Sequence, residues 1–460
     1  MRKITISCIF AFSVVFLISS NSTAQIITTY AGGGSVLGDG GPATAGNLAY
    51  PTAVSTDVAG NLYIVDPTTN RIRKVNTAGI ISTFAGNGTA GNTGDGGAGS
   101  AAEINEGLYA DATGGVAANA GNFYFVDSWN NTIRMVNSSG IISRIAGNGT
   151  AGFSGDGGMA TAAMIDTATG IAADGSGNVY FADTKNQRIR KINSSGIIST
   201  VAGNGTAAFS GDGAAATLAS LSSPSDVKVD AGGNIYIADF GNQRVRMVNT
   251  SGLISTVAGN GTFGYVAGSP ATATGIGSFG GIAVDGADNL FIAGGSTVLK
   301  VDHSSGIITT FAGMTDSFSY GGDGGPATTA KLSEVMGAAF DDFGNLYIAD
   351  AANGRIRKIA YAGVPTGVQV LPSNSSNNLT IFPNPNAGTF IIEGVITNTN
   401  DEKVALEITD MAGRVVYATK VDAQKGKVNT QLQLNIANGE YILKLNSSSA
   451  TEVSRFIIQR

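Results

Sequence analysis

Five aspartates close short apolar runs in this chain, at Asp66, Asp127, Asp183, Asp239 and Asp350, and an arginine follows each seven residues later, at Arg73, Arg134, Arg190, Arg246 and Arg357. A carboxylate and a guanidinium at fixed spacing can move a proton, hold a ligand, or hold each other through charge-assisted hydrogen bonds. The stretch NLFIAGGSTVLKV discriminates among these, because Gly294 stands in the aspartate's place and Leu299 in the arginine's, with a shorter segment between them. Joint loss is the behaviour of mutual partners, so the pairs are read as structural ties rather than as catalytic groups. Thr132 replaces the earlier arginine found at Arg71, Arg188, Arg244 and Arg355, yet Asp127 and Arg134 are both kept, which makes the later arginine the partner.

The run GDGG recurs at 38–41, 94–97, 155–158 and 322–325, with GDGA at 211–214. Consecutive glycines can form a backbone nest for an anion, and the aspartate could help hold calcium. Equivalent copies around one molecule fit a repeated structural turn better than one ligand. The corresponding position in FGYVAGSPATAT is Ala267, so the copy that lacks the Asp–Arg pair lacks this aspartate too. The two features are therefore expected to touch. His303, the sole histidine, is expected at a turn on the face opposite the longer loops, which leaves it no loop-face serine for a Ser–His–Asp triad and no companions for a zinc site, and with Cys8 the sole cysteine there is no disulfide to build.

These residues sit on a repeat. Asn61, Asn122, Asn178, Asn234, Asn289 and Asn345 open equivalent strands at intervals of 61, 56, 56, 55 and 56 residues. Six units of four short apolar runs predict an all-β, six-bladed β-propeller with four strands, A to D, in each blade. In the third unit they are expected near Thr169 to Asp174, Asn178 to Asp183, Arg188 to Asn193 and Ile197 to Ala202, with glycine-containing turns at A to B and C to D. The last unit stops after RIRKIA at 355–360, whereas IITTYAG at 26–32 matches a strand D and precedes every full unit. The leading strand is therefore expected to complete the last blade, removing two open sheet edges.

The run GDGGPATAGNLAYPTAVSTDVAGNLYIVDPTTNRIRKVNTAGIISTFAG resembles bacterial NHL-repeat propellers, and the resemblance covers about 26–360. It implies the fold; activity is open, since such propellers include binding modules and a few enzymes. Strand parity puts the B to C loops and the D to A crossovers on one face, called the loop face here, where function is expected at positions at which the repeats disagree. The ligand-binding candidates are Trp129, Lys185 and Phe240 just after strand B, and Glu103, Glu106, Tyr109 and Asp111 in the longer first crossover between full units. The acids are read first as solvated loop charges, with calcium or a cationic ligand as the alternative. Phe153, Phe209, Phe263, Tyr265, Phe318 and Tyr320 recur in crossovers and are read as packing.

The chain has 460 residues and net charge −6. Residues 1–24 carry two positive charges and residues 361–460 balance eight of each sign, so the middle carries about −8 and nucleic acid is an unfavourable partner. Residues 1–24 have the charged start, apolar run and small-residue end of a signal peptide, and no later run is long enough to span a bilayer. Residues 361–378 read as a Pro/Ser/Asn linker and 379–460 as a small immunoglobulin-like β-sandwich. That tail resembles the type A C-terminal sorting domain of type IX secretion through Pro383-Asn384-Pro385, ITDMAGRVV at 408–416 and Asn438-Gly439-Glu440-Tyr441, though arginine and glutamine stand at its end where lysines are usual. The resemblance implies the type IX machinery as a partner and release from, or attachment to, the outer surface of a Gram-negative bacterium. A monomer is expected, with no catalytic residue, no resident cofactor, and calcium as the one metal left open. The reading is a binding module for a peptide, glycan or protein; the alternative is a calcium-dependent hydrolase or lyase of lactonase type. An enzyme should bring at least three polar side chains unique to single blades to the channel mouth, and a binding module should bring aromatic or apolar ones.

Overall fold

The computed structural model describes residues 25–107, 116–119, 121–342, 344–360, 380–382, 388–395, 402–410, 415–425, 427–434, 439–446 and 451–458. Six four-stranded antiparallel sheets span 53–85, 116–146, 168–202, 224–258, 281–313 and 335–359, the last completed by Ile27–Gly32. They are blades 1 to 6 of a propeller. The third blade consists of Ala168–Ala173, Val179–Asp183, Arg188–Ile192 and Ile198–Ala202, within one residue of expectation. Each strand A touches the strand A of the next blade, and that of blade 6 touches that of blade 1, so the ring closes.

Closure has the expected origin. Ile27 pairs with Ile359 and Gly32 with Arg355 in an antiparallel ladder, with a bulge between Thr29 and Ala31. The apolar residues gather in six clusters, one at each interface between adjacent blades. This explains why strand B reads as a continuous apolar run: its two faces are covered by different neighbours, so all five residues of Leu62–Asp66 or Ile235–Asp239 are buried. Side chains also cross between blades, with the Ser128 hydroxyl donating to Ala168 O at 2.7 Å, Thr184 to Pro224 O at 2.8 Å and Ser225 to Gly280 O at 2.9 Å.

Two devices make the turns. After strand A, Asp174 Oδ1 accepts the backbone N–H groups of Ser176 and Asn178, and its Oδ2 accepts Asn178 Nδ2 and the Tyr180 hydroxyl. After strand C, Asn193 Oδ1 accepts the N–H groups of Ser195 and Ile197 around Gly196, whose φ is +77°. The crossovers run beside the outer strand they precede, as where Gly157 N donates to Ile198 O and Ile198 N to Gly158 O. They thereby cover the outer edge of each blade.

Among the described residues the tail contains seven strands hydrogen-bonded in one order, and the sheet turns a corner where Val415–Gln424 meets Lys427–Gln433 through two residue pairs only. Thr380–Phe382, Thr389–Val395 and Lys427–Gln433 form one leaf, and the other four strands form the second. Phe390, Ile392 and Leu432 from one leaf share a single core cluster with Leu406, Ile408 and Leu443 from the other. The two leaves of the sandwich are thus one continuous sheet.

Candidate ligand-binding site

The repeated aspartates and arginines form a three-part tie. Arg190 Nη1 lies 3.0 Å from Asp183 Oδ2, and its Nη2 lies 2.8 Å from Asp156 Oδ1 of the GDGG turn. The corresponding distances are 3.3 and 2.6 Å for Arg246 with Asp239 and Asp212, and 3.4 and 2.8 Å for Arg134 with Asp127 and Asp95. Arg357 bridges Asp350, at 3.3 Å, and Asp323. Blade 1 departs from the expectation: Arg73 pairs with Asp39, whereas Asp66 accepts the N–H groups of Ala49 and Tyr50 and the Thr68 hydroxyl and makes no direct bond to Arg73. In blades 2, 3, 4 and 6 an asparagine, such as Asn186, holds the strand B aspartate and the crossover carbonyl together; Thr69 occupies that place in blade 1. Burial pushes the Asp183 and Asp239 carboxyls up to about 6, against the hydrogen bonds that pull the other way.

Each tie also locks a crossover. Thr200 and Thr256 donate to the second oxygens of Asp156 and Asp212 at 2.7 Å, and Phe153, Phe209 and Tyr320 stack on Arg188, Arg244 and Arg355 at 3.8 to 3.9 Å. Blade 5 has none of the three charges. Leu299 is buried in place of the arginine, the Tyr265 hydroxyl meets Thr310 at 3.1 Å where an aspartate meets the threonine elsewhere, and Phe263 is left 67% exposed.

The loss in blade 5 opens a cavity. Strands B and C of blade 4 are joined by four residues between Asp239 and Arg244, but those of blade 5 by only Gly295 and Ser296 between Gly294 and Thr297. In blades 2 and 3 the residue closing this loop sends its side chain over the next blade, with Asn131 Oδ1 accepting Thr167 N and Gln187 Oε1 accepting Ser223 N. The shorter loop has no equivalent residue. In that place a cavity of about 370 Å3 opens on the loop face, lined by Tyr50, Phe240, Phe279, Phe318, Glu334 and Met336, with Ser278 and the Gly294–Gly295 turn. Gly294 is required there, since a Cβ would lie 2.1 Å from Ser278 O and 2.4 Å from Phe279 Cα. Phe240 and Phe279 stand 6.0 Å apart between centroids, inclined at 58°. The Tyr50 hydroxyl donates to Glu334 Oε2 at 2.5 Å, joining blade 1 to blade 6. Burial, and then Glu334, raise that phenol above its usual range.

Of the residues proposed from sequence, only Phe240 lines this cavity. Trp129 is 53% exposed over blade 2, where its indole lies against Gly107, and Lys185 is exposed on blade 3. Glu103 accepts the Thr93 hydroxyl at 3.0 Å. Tyr109 and Asp111 lie outside the described residues. Among the described residues no group of three or more His, Cys, Asp or Glu side chains converges as a metal site would require. Phe279, Phe318, Met336, Tyr50 and Glu334 also line the cavity and were not among the candidates. The missed signal was a second column of disagreement, just before strand A, where Tyr50, Thr167, Ser223 and Glu334 differ.

Glu106 corrects another expectation. It is not a solvated loop charge: it is 1% exposed, neither carboxyl oxygen has a hydrogen-bond partner, and burial, with Asp127 nearby, holds its pKa well above the usual carboxylate range. A carboxyl whose folded pKa is raised lends stability that is complete below its unfolded value, about 4.3, and is lost as pH rises through the folded value, at roughly 1.4 kcal/mol per unit. Glu106→Gln should therefore gain melting temperature relative to the parent as pH rises from 4 to 8. A gain of the same size at both ends of that range would contradict this burial.

Comparison with known proteins follows the same division. The profile of the teneurin NHL domain matches residues 31–93, 148–210 and 204–279, and that of a secretion system C-terminal sorting domain matches 380–459. Human Teneurin-4 is 31% identical over 233 residues, 46% of this chain and 8% of that protein, and chicken Teneurin-1 is 30% identical over 264 residues, 51% of this chain and 10% of that protein. The chain thus spans about a tenth or less of the curated relatives it matches. Among solved structures, a Bacteroides thetaiotaomicron protein of unknown function aligns with TM-score 0.54 and 18% identity, covering 73% of this chain and 76% of its own. An auxiliary nutrient binding protein from the same species aligns with TM-score 0.51 and 16% identity, covering 74% and 77%. These likenesses show the propeller fold. The sorting tail directs the protein to the cell surface or the exterior through the type IX route.

Proposed function

From the premise of an NHL-type six-bladed propeller carried outward by a secretion sorting domain, we propose that the molecule is a binding module whose ligand enters the loop-face pocket at blade 5. One observation carries the reading. The single blade that has lost the repeated tie is the one beside which side chains from blades 1, 4, 5 and 6 line a cavity of about 370 Å3, and most of that lining is aromatic or apolar. Its size is that of small-ligand sites, and its walls combine apolar bulk with a few polar groups. Phe240 and Phe318 come from different blades, and Phe318 is 59% exposed, so its substitution leaves the core intact.

The test is a screen of amines, peptides and glycans against the protein, followed by Phe240→Ala and Phe318→Ala. Each substitution should weaken a hit about tenfold or more, as loss of a central aromatic contact does. Full affinity in both, with loss in Trp129→Ala, would move the site to blade 2.

A further inference from the structure

We propose that the ligand of this pocket is an organic cation, an ammonium or guanidinium group on an apolar body. The proposal rests on the pocket being the binding site and adds the class of its occupant. Among the described residues Glu334 is the only charged side chain in the lining, and no lysine, arginine or histidine accompanies it. Three donors around it are already committed: the Tyr50 hydroxyl to Glu334, Gly280 N to Ala293 O, and Val335 N to Gly295 O. That leaves the Ser278 hydroxyl as the one side-chain donor without a bond in a wall whose carboxylate already accepts one.

An anion would meet no counter-charge there, and a neutral apolar group would desolvate Glu334 without replacing its water. A cation satisfies the carboxylate and meets aromatic rings at Phe240, Phe279 and Phe318, whose faces attract positive charge. The acidic middle of the chain, about −8, adds attraction at longer range. The backbone does not account for Glu334. Its φ of +51° is shared by Thr167 at +50° and Ser223 at +46°, so the turn is general and only the long acidic side chain is particular to blade 6.

The probes are phenethylammonium, neutral 2-phenylethanol and anionic phenylacetate, titrated calorimetrically into the full-length protein, together with N-acetyl-arginine methylamide. Phenethylammonium should bind at least tenfold more tightly than the alcohol or the acid, and Glu334→Gln should remove that preference while leaving the alcohol unchanged. Phe240→Ala should weaken every probe that binds. Equal binding of the three phenyl probes, still weakened by Phe240→Ala, would overturn the cation while keeping the pocket. Probe binding indifferent to Phe240→Ala would overturn both, as would no binding at all. If the arginine amide matches phenethylammonium, the cation is a side chain of a protein or peptide; if it is much weaker, the cation is a free amine. Both results support the inference.

Discussion

A chain that begins at residue 33 is expected to lose its cooperative fold or to melt far below one that begins at residue 25. The missing strand carries Ile27 and Ala31, both fully buried, and a ladder of five residue pairs with Arg355–Ile359. Burial of one isoleucine contributes about 1.5 to 3 kcal/mol and each ladder hydrogen bond about 1 kcal/mol, so the loss is on the order of 5 kcal/mol, comparable with the whole stability of many domains. Truncation also bares the edge of Arg355–Ile359, which in the other blades is paired with strand D, so aggregation should accompany melting. Adding the peptide 25–34 in trans should restore the transition. A truncated protein with the parent's melting temperature and no gain from the peptide would show that the ring closes without this strand.

The second large effect is expected at Arg190→Ala. Its guanidinium and the Asp183 carboxylate are both fully buried, so removing the cation strands a charge with no solvent to receive it. Breaking one side of such a pair costs about 3 to 5 kcal/mol. The sign with pH follows from the raised carboxyl. Asp183 already titrates at about 6 with Arg190 present, so it lends stability below about 4 that is lost as pH rises towards 6. Without Arg190 the carboxyl moves higher still and the loss continues upward, so the mutant's deficit should be larger at pH 8 than at pH 5. Binding at the blade 5 pocket should persist in whatever fraction is folded, because neither Arg190 nor Asp183 lines it. An unchanged melting temperature would refute the structural role.

The ring was legible in the sequence because a propeller repeats one local problem. A strand covered on both faces, an Asx turn and a glycine turn recur every 55 to 61 residues, so each copy corroborates the others. The joint replacement of two aspartates by Gly294 and Ala267 and of the arginine by Leu299 announced the mutual contact of these charges, and the three-part tie has that form in blades 2, 3, 4 and 6. Blade 1 escaped because Asp66 and Arg73 have the right spacing while Thr69 stands where asparagine holds the other aspartates in place.

The pocket was only half legible. Shortening of the B to C loop is plain in the sequence, yet reading it as a loss directed attention to loops that still carried large side chains. A shortened loop becomes a cavity only where the neighbours' residues reach its rim, and Phe318, Glu334 and Met336 lie 24 to 42 residues beyond Gly294 in the chain. Glu106 was misread for a related reason: an acidic residue in a long crossover looks solvated until the chain folds it under its neighbours.

The most direct measurement is a hydrogen-exchange map of the protein with and without phenethylammonium, or whichever hit binds most tightly. Added protection is expected only in the backbone around Ser278–Phe279, Gly294–Ser296 and Glu334–Met336. Protection instead around Glu103–Gly107 and Ser128–Asn131, with the blade 5 segments unchanged, would contradict it.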